Sequence, residues 1–213
     1  CAYIRPNKRR KCERFLSNQE IARLGEVLSR KIHSHPLHAT IIYLLLLTGC
    51  RSSEITDLTW SEVKGGRLLL HDSKTGPRTV WLGDEARTLL ASLERRGGSD
   101  PVFWNKLTRR PVGSIDAFWK GVKAEVSLPG VRIHDLRHSF ASHAAARSET
   151  LPMIGKLLGH ARLQTTSRYA HLDDGPVLDA AERIGELIAD AMGEDHSLNY
   201  NTMCDIGALI HDR

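Results

Sequence analysis

Six side chains of this 213-residue sequence have types and settings that suit work on a phosphate ester. Arg51 follows Thr48-Gly49-Cys50 at the expected start of a short helix, where the helix N-terminus adds partial positive charge to the guanidinium and favours an anion. Glu54, three residues on, can hydrogen-bond that guanidinium and fix its fork. His134 and Arg137 lie three apart at the start of another expected helix and so share a face. Leu136, Phe140 and Ala144 line a neighbouring face that can pack into a core. Lys74 sits near the tip of an expected β-hairpin. His160 follows Leu157-Leu158-Gly159 at a helix end, and Tyr169 lies in Thr166-Ser167-Arg168-Tyr169-Ala170-His171-Leu172. Taken singly, each has an ordinary structural use: a capping histidine, a salt-bridged arginine, a solvated lysine, a core tyrosine.

Together they make a phosphoryl-transfer set that needs no metal. Two arginines can clamp the non-bridging oxygens of a phosphodiester and stay charged at any physiological pH. They stabilise negative charge that grows in the transition state. A lysine on a mobile arm can give a proton to a leaving alkoxide. A histidine can take or give one near neutrality. A tyrosine hydroxyl can attack phosphorus and conserve the bond energy as a phosphotyrosine.

The elements that must position these groups can be read from periodicity and punctuation. Ser17 with Glu20 forms a capping box, followed by Ile21, Leu24 and Leu28 at helical spacing. A helix from about Leu37 to Leu47 is apolar all round and therefore buried, and Gly49 ends it. A short helix starts near Arg51–Ser53. Leu68–Leu70, a turn at Lys74-Thr75-Gly76-Pro77, and Thr79-Val80-Trp81-Leu82 read as a hairpin. Further helices are expected at about 84–95, 114–126, 135–147, 152–158, 164–170 and 176–192. The fold class is mainly α with a small antiparallel β-sheet (α+β).

Composition fits a folded core, with 41% hydrophobic and 26% charged residues. The longest apolar run, Ile41 to Leu47, is far too short to span a membrane, and no signal peptide is visible. Cys1, Cys12, Cys50 and Cys204 form no CxxC pair, so a reducing compartment is expected in place of a disulfide scaffold. His33, His35 and His38 do not read as a metal site, because Pro36 interrupts them and no acidic or cysteine ligand is near. A first residue of Cys1 in place of Met is expected of a fragment. Charge is segregated: residues 1–14 carry six basic side chains against Glu13, while residues 172–213 carry ten acidic against two basic, in a chain of net +5. A basic body with an acidic tail suits a polyanionic partner.

Four segments in this order, Thr48-Gly49-Cys50-Arg51-Ser52-Ser53-Glu54-Ile55, His134-Asp135-Leu136-Arg137-His138-Ser139-Phe140-Ala141, Leu157-Leu158-Gly159-His160 and Arg168-Tyr169-Ala170-His171-Leu172, strongly resemble the tyrosine recombinase (phage integrase) family over roughly residues 15–175. The resemblance implies a catalytic domain at 15–192 between a basic interdomain linker (1–14) and a C-terminal tail (193–213), the usual N-terminal DNA-clamping domain being absent from this chain. It implies that Arg51 and Arg137 hold the scissile phosphate and that Lys74 is the general acid for the 5′-oxygen. His134 would exchange the tyrosine proton, His160 would hydrogen-bond a non-bridging oxygen, and Tyr169 would be the nucleophile. Glu54 would support Arg51, and Lys64, ahead of the first strand, is a weaker alternative to Lys74. No cofactor is implied. The expected partner is double-stranded attachment-site DNA, bound by a tetramer that is monomeric off DNA, in a cytoplasmic, nucleoid-associated protein of a bacterium or phage. Arg9, Arg10, Lys11, Arg109, Arg110, Lys120 and Lys123 are candidate phosphate contacts, as are Arg95, Arg96 and Lys106, with solvated surface as the alternative for each. Val177, Ala181, Ile184, Ile188 and Ala191 form an amphipathic stripe that packs either in cis or on a neighbouring protomer. Two other readings stand beside integration: type IB topoisomerase-like relaxation, which would act without sequence preference or partner duplex, and a DNA-binding relative without catalysis.

Overall fold

The computed structural model describes residues 14–71, 76–95, 100–108, 110–147, 149–160, 165–167 and, further on, 184, 185 and 188. The chain divides into two compact units, Cys1–Leu172 and Asp173–Arg213. In the second unit Ile184, Gly185 and Ile188 are helical and both isoleucines are exposed. Among the described residues no helix is long and apolar enough to cross a membrane.

The first unit is built around one helix. Helix α1 (Asn18–Lys31) starts at the expected capping box, with Ser17 Oγ accepting the Glu20 N–H at 3.3 Å and Glu20 Oε2 accepting the Ser17 N–H at 2.9 Å. It buries Leu24, Val27 and Leu28. Helix α2 (Pro36–Thr48) has Pro36 in its first turn, where a missing N–H costs nothing. Its apolar residues point in every direction because it is wrapped on all sides: α1, α3 (Ser52–Thr56), α4 (Asp84–Ala91) and α6 (Ile133–Ala145) all pack on it. Ile41, Ile42 and Leu44 are fully buried, and each such side chain stabilises the fold by about 2 kcal/mol. At its end Thr48 Oγ1 donates to the Leu44 carbonyl at 2.6 Å and accepts the Cys50 N–H at 3.3 Å. Gly49 then closes the helix in the left-handed region, with φ +63°.

A three-stranded antiparallel sheet, in order β1 (Val63–Lys64), β2 (Arg67–Leu70) and β3 (Arg78–Trp81), follows a 3-10 turn at Trp60–Glu62. Lys64 was expected ahead of the first strand; it lies within β1, exposed, paired with Arg67 across a Gly65-Gly66 turn that takes positive φ at both glycines. The register sets Leu68 opposite Val80 and Leu70 opposite Arg78, so Arg78 shares the inward face with the buried leucines. A second two-stranded ladder, β4 (Trp104–Asn105) with β5 (Arg110–Pro111), is an addition to the single sheet expected. Helices α5 (Asp116–Glu125), α6 and α7 (Leu151–Leu158) complete the unit. The helix expected at 164–170 is described only at 165–167, which form a tight turn, and that at 176–192 only at the three residues named above.

The segment leading into α1 is fastened to α6. The Leu16 N–H donates to Ser139 Oγ at 2.8 Å, and Ser139 Oγ donates in turn to the Asp135 carbonyl at 2.8 Å. His143 Nε2 lies 3.1 Å from the Leu16 carbonyl; a carbonyl only accepts, so this nitrogen carries the proton.

Candidate active site

The site is assembled by helix ends. Helix α6 begins where Asp135, buried, accepts the Arg132 backbone N–H at 2.7 Å and the Arg132 guanidinium at 2.7 and 3.2 Å. That fixed start places His134 in the first turn and Arg137 one turn on. Arg137 is only 3% exposed. Its Nη1 donates to the Gly49 carbonyl at 2.7 Å and its Nη2 to the Leu158 carbonyl at 2.8 Å. These oxygens are at the C-terminal ends of α2 and α7, where helices leave carbonyls without internal partners and concentrate negative charge. The guanidinium thus closes two helix ends at once. Burial, then the positive charges of Arg51 and Arg78, lowers its pKa to about 10, so it remains a cation at neutral pH.

Two glycines leave room for the side chains packed at these helix ends. A Cβ on Gly49 would lie 2.5 Å from Phe140 Cδ1 and 3.0 Å from Leu158 Cδ2, and one on Gly159, the α7 cap at φ +66°, would overlap Arg78 Cδ. Gly49→Ala combines a left-handed alanine, about 1 kcal/mol, with overpacking of 1–3 kcal/mol. Thermal unfolding of that variant is expected about 5–12 °C below wild type; an unchanged midpoint would show that the α2 end can shift.

Arg51 caps the start of α3. Its Nη1 donates to Glu54 Oε1 at 2.7 Å and its backbone N–H to Glu54 Oε2 at 2.8 Å. Glu54 therefore holds Arg51 as the sequence suggested. Burial raises the Glu54 pKa, but the hydrogen bonds from Arg78 and Arg51 outweigh it and hold the carboxyl below its usual range, ionised. His134 packs edge-on against His138 with ring centroids 4.9 Å apart. Partial desolvation, followed by the positive charges of Arg137, Arg132 and Arg51 against the opposing carboxylate of Asp135, keeps its pKa below the ordinary histidine value, so the ring is neutral at pH 7 and able to accept a proton. His160 follows the α7 cap, its N–H bonded to the Gly155 carbonyl at 2.9 Å, and its Nδ1 lies 2.9 Å from Oγ1 of the buried Thr166.

Of the residues expected at the site, Arg51, Glu54, His134, Arg137 and His160 lie on segments that the structure brings together through the Gly49, Leu158 and Glu54 contacts. Arg78 and Thr166, which bond to Glu54 and His160, were not singled out from the sequence. Arg78 could have been found: the two-residue period that turns Val80 inward turns Arg78 inward as well. Thr166 had no signal of its own beyond the motif that contains it. Lys74 and Tyr169 lie outside the described residues, as do Arg9, Arg10, Lys11, Arg96 and Arg109. Among the other basic candidates, Arg110 and Lys120 are exposed and Lys123 is half-buried on α5. Arg95 stacks over the Trp60 ring at 5.6 Å, and Lys106 pairs with Glu94. His35 and His38 pack against Phe118, with centroids 5.5 and 5.3 Å away.

This arrangement of helices and sheet is the one seen in integrase catalytic domains. The structure superposes on the catalytic domain of bacteriophage HP1 integrase with a TM-score of 0.62 at 27% identity, covering 79% of this chain and 93% of that one. The family model described as "Phage integrase family" matches residues 14–175, and the chain belongs to that family. The tyrosine recombinase XerC of Erythrobacter litoralis is 30% identical over 207 residues, 92% of this chain and 68% of its own length. A XerH site-specific recombinase bound to palindromic difH substrate shares the fold, with a TM-score of 0.62 at 22% identity over 80% of this chain and 53% of that chain. The chain thus spans about half to two thirds of the length of these Xer recombinases.

Proposed function

We propose that this chain is the catalytic part of a site-specific DNA recombinase that cuts and rejoins strands through a 3′-phosphotyrosine. The observation that carries the reading is Arg137, a cation locked between two helix ends beside Arg51 and a neutral His134. Two such guanidinium groups match the non-bridging oxygens of one phosphodiester and hold the charge that builds up on them as phosphorus becomes five-coordinate. The Tyr169 oxygen attacks phosphorus and its proton passes to His134. The bond to the 5′-oxygen breaks, and that oxygen takes a proton from Lys74. His160, with its ring set by Thr166, donates to a non-bridging oxygen. Attack by a 5′-hydroxyl of a partner strand reverses these steps and restores a diester, so the sequence of bonds made and broken calls for neither metal nor nucleotide. The basic residues of 1–14, with Arg110, Lys120 and Lys123, supply salt-sensitive backbone contacts to duplex DNA. Residues 15–192 form the catalytic domain and 193–213 a tail, and protomers assemble as a tetramer on DNA. This reading places the protein in the cytoplasm, on the nucleoid.

The test is a pool of nicked duplexes with randomised cores. SDS-resistant adducts are isolated and digested, and the modified peptide is mapped by mass spectrometry. A nucleotide on Tyr169 is expected; an adduct on another residue, or none on any duplex, overturns the reading. The rate of adduct formation should also fall on acidification only below the ordinary histidine pKa, because protonating His134 removes the proton acceptor while its pKa is held down. A limb that begins above pH 7 and persists in His134→Gln would assign the proton to another group.

A further inference from the structure

Arg78 is the third guanidinium of the site, and the chemistry above gives it no task. Its side chain is 7% exposed and fully engaged. Nε donates to Glu54 Oε1 at 3.2 Å and Nη2 to Glu54 Oε2 at 2.7 Å, the two-point fork that arginine makes with a carboxylate. Nη1 donates to the Leu157 carbonyl at 3.2 Å, and Nη2 also reaches Cys50 Sγ at 3.5 Å. Arg78 therefore touches the loop before Arg51, the partner of Arg51, and the helix end whose next carbonyl is held by Arg137.

Resting on the strand-transfer reading above, we propose that Arg78 is a positioning residue that balances the charge of Glu54, so that Glu54 can orient Arg51 without neutralising it. Arg51, Arg78 and Arg137 set against Glu54 leave two positive charges to meet the phosphate. Without Arg78 the buried carboxylate keeps only Arg51 of its two ion-pair partners, and Arg51 and Arg137 against Glu54 leave one net charge. Arg51 is then drawn to Glu54 in place of the substrate, and its pull on the non-bridging oxygens weakens as they gain charge. Because Arg78 is the first residue of β3, the same contacts also fasten that strand to α3 and α7. The inward position of a charged residue in an otherwise apolar sheet face fits this role, since a buried ion is retained only where a partner meets it.

The reader is the rate of adduct formation on a duplex recovered from the pool, with thermal unfolding and DNA affinity measured in parallel. Arg78→Gln removes the charge and is expected to slow the reaction about 100-fold, the scale of one lost electrostatic group, with duplex affinity altered less than about threefold. Arg78→Lys keeps the charge but not the fork and is expected within about tenfold of wild type. The pair Glu54→Gln with Arg78→Gln restores two net positive charges and should react at least about tenfold faster than Arg78→Gln alone, a rescue that a merely structural arginine would not show. Equal losses in the lysine and glutamine variants, a wild-type rate in Arg78→Gln, or a pair no faster than the single variant each overturns the proposal. Should Arg78→Gln lose its folding transition, the lysine variant and the pair decide: both must exceed about one thirtieth of the wild-type rate, and either falling below it ends the case. An adduct from the wild-type chain with unaffected Arg78 variants would defeat this inference alone, whereas no adduct from the wild type defeats the recombinase reading itself.

Discussion

Tyr169→Phe is expected to leave no covalent DNA adduct while duplex affinity stays within about twofold of wild type. Phenylalanine keeps the ring and removes only the oxygen that, in the proposed mechanism, bonds to phosphorus. Loss of a nucleophile of this kind lowers turnover by 10⁴-fold or more, on the order of the largest single-residue effects in covalent catalysis. The comparison is made on SDS gels with a nicked duplex, where the nick lets the cut fragment diffuse away and traps the adduct. A band that survives in the phenylalanine variant would mean that another residue attacks, and the search would move to other hydroxyls.

The second large effect concerns Arg137. Arg137→Met should reduce adduct formation by about 10³-fold, since in the proposed mechanism it removes a full positive charge from beside the oxygens that gain charge, and one lost donor alone is commonly worth 10²–10³. Stability should move far less. The side chain leaves the Gly49 and Leu158 carbonyls unpartnered, at about 1–3 kcal/mol each. Against that, a pKa lowered to about 10 means that the fold already works against this charge, by on the order of 3 kcal/mol. The net is about −1 to 3 kcal/mol, a melting shift below about 10 °C in either direction. Rates and melting curves on the same preparation separate the two quantities. A variant that unfolds outright, or one that keeps more than about a tenth of its activity, would contradict the balance. Arg137→Lys should resemble Met in rate, because a single ammonium cannot fork between two carbonyls that belong to different helices.

The elements with strong local signals were legible from the sequence. The Ser17–Glu20 box, the all-round apolar run that becomes α2, and Gly49 as its stop are each set by neighbours within a turn or two. The pair His134 and Arg137 was legible for the same reason: helical spacing alone puts them on one face. The β4–β5 ladder was not, because strands of two residues, one ending in Pro111, show no alternation. Arg78 was missed although its inward register was readable, because arginine in a hairpin next to Lys74 reads as solvated surface until Glu54 is known to lie beneath it. That Arg137 would be buried was also invisible, since its partners are backbone oxygens contributed 88 and 21 residues away.

The fastening of Leu16 to α6 has a mechanical corollary. Both backbone groups of that residue are tied to the same helix, at Ser139 and His143, behind the turn that bears His134 and Arg137. A pull on the chain ahead of Leu16 is consequently shared between the rear of α6 and the start of α1, where Arg14 pairs with Glu20. The helix that carries His134 and Arg137 is thus one of the two anchors of the chain that enters the unit, and that entry is coupled to the site through its backbone.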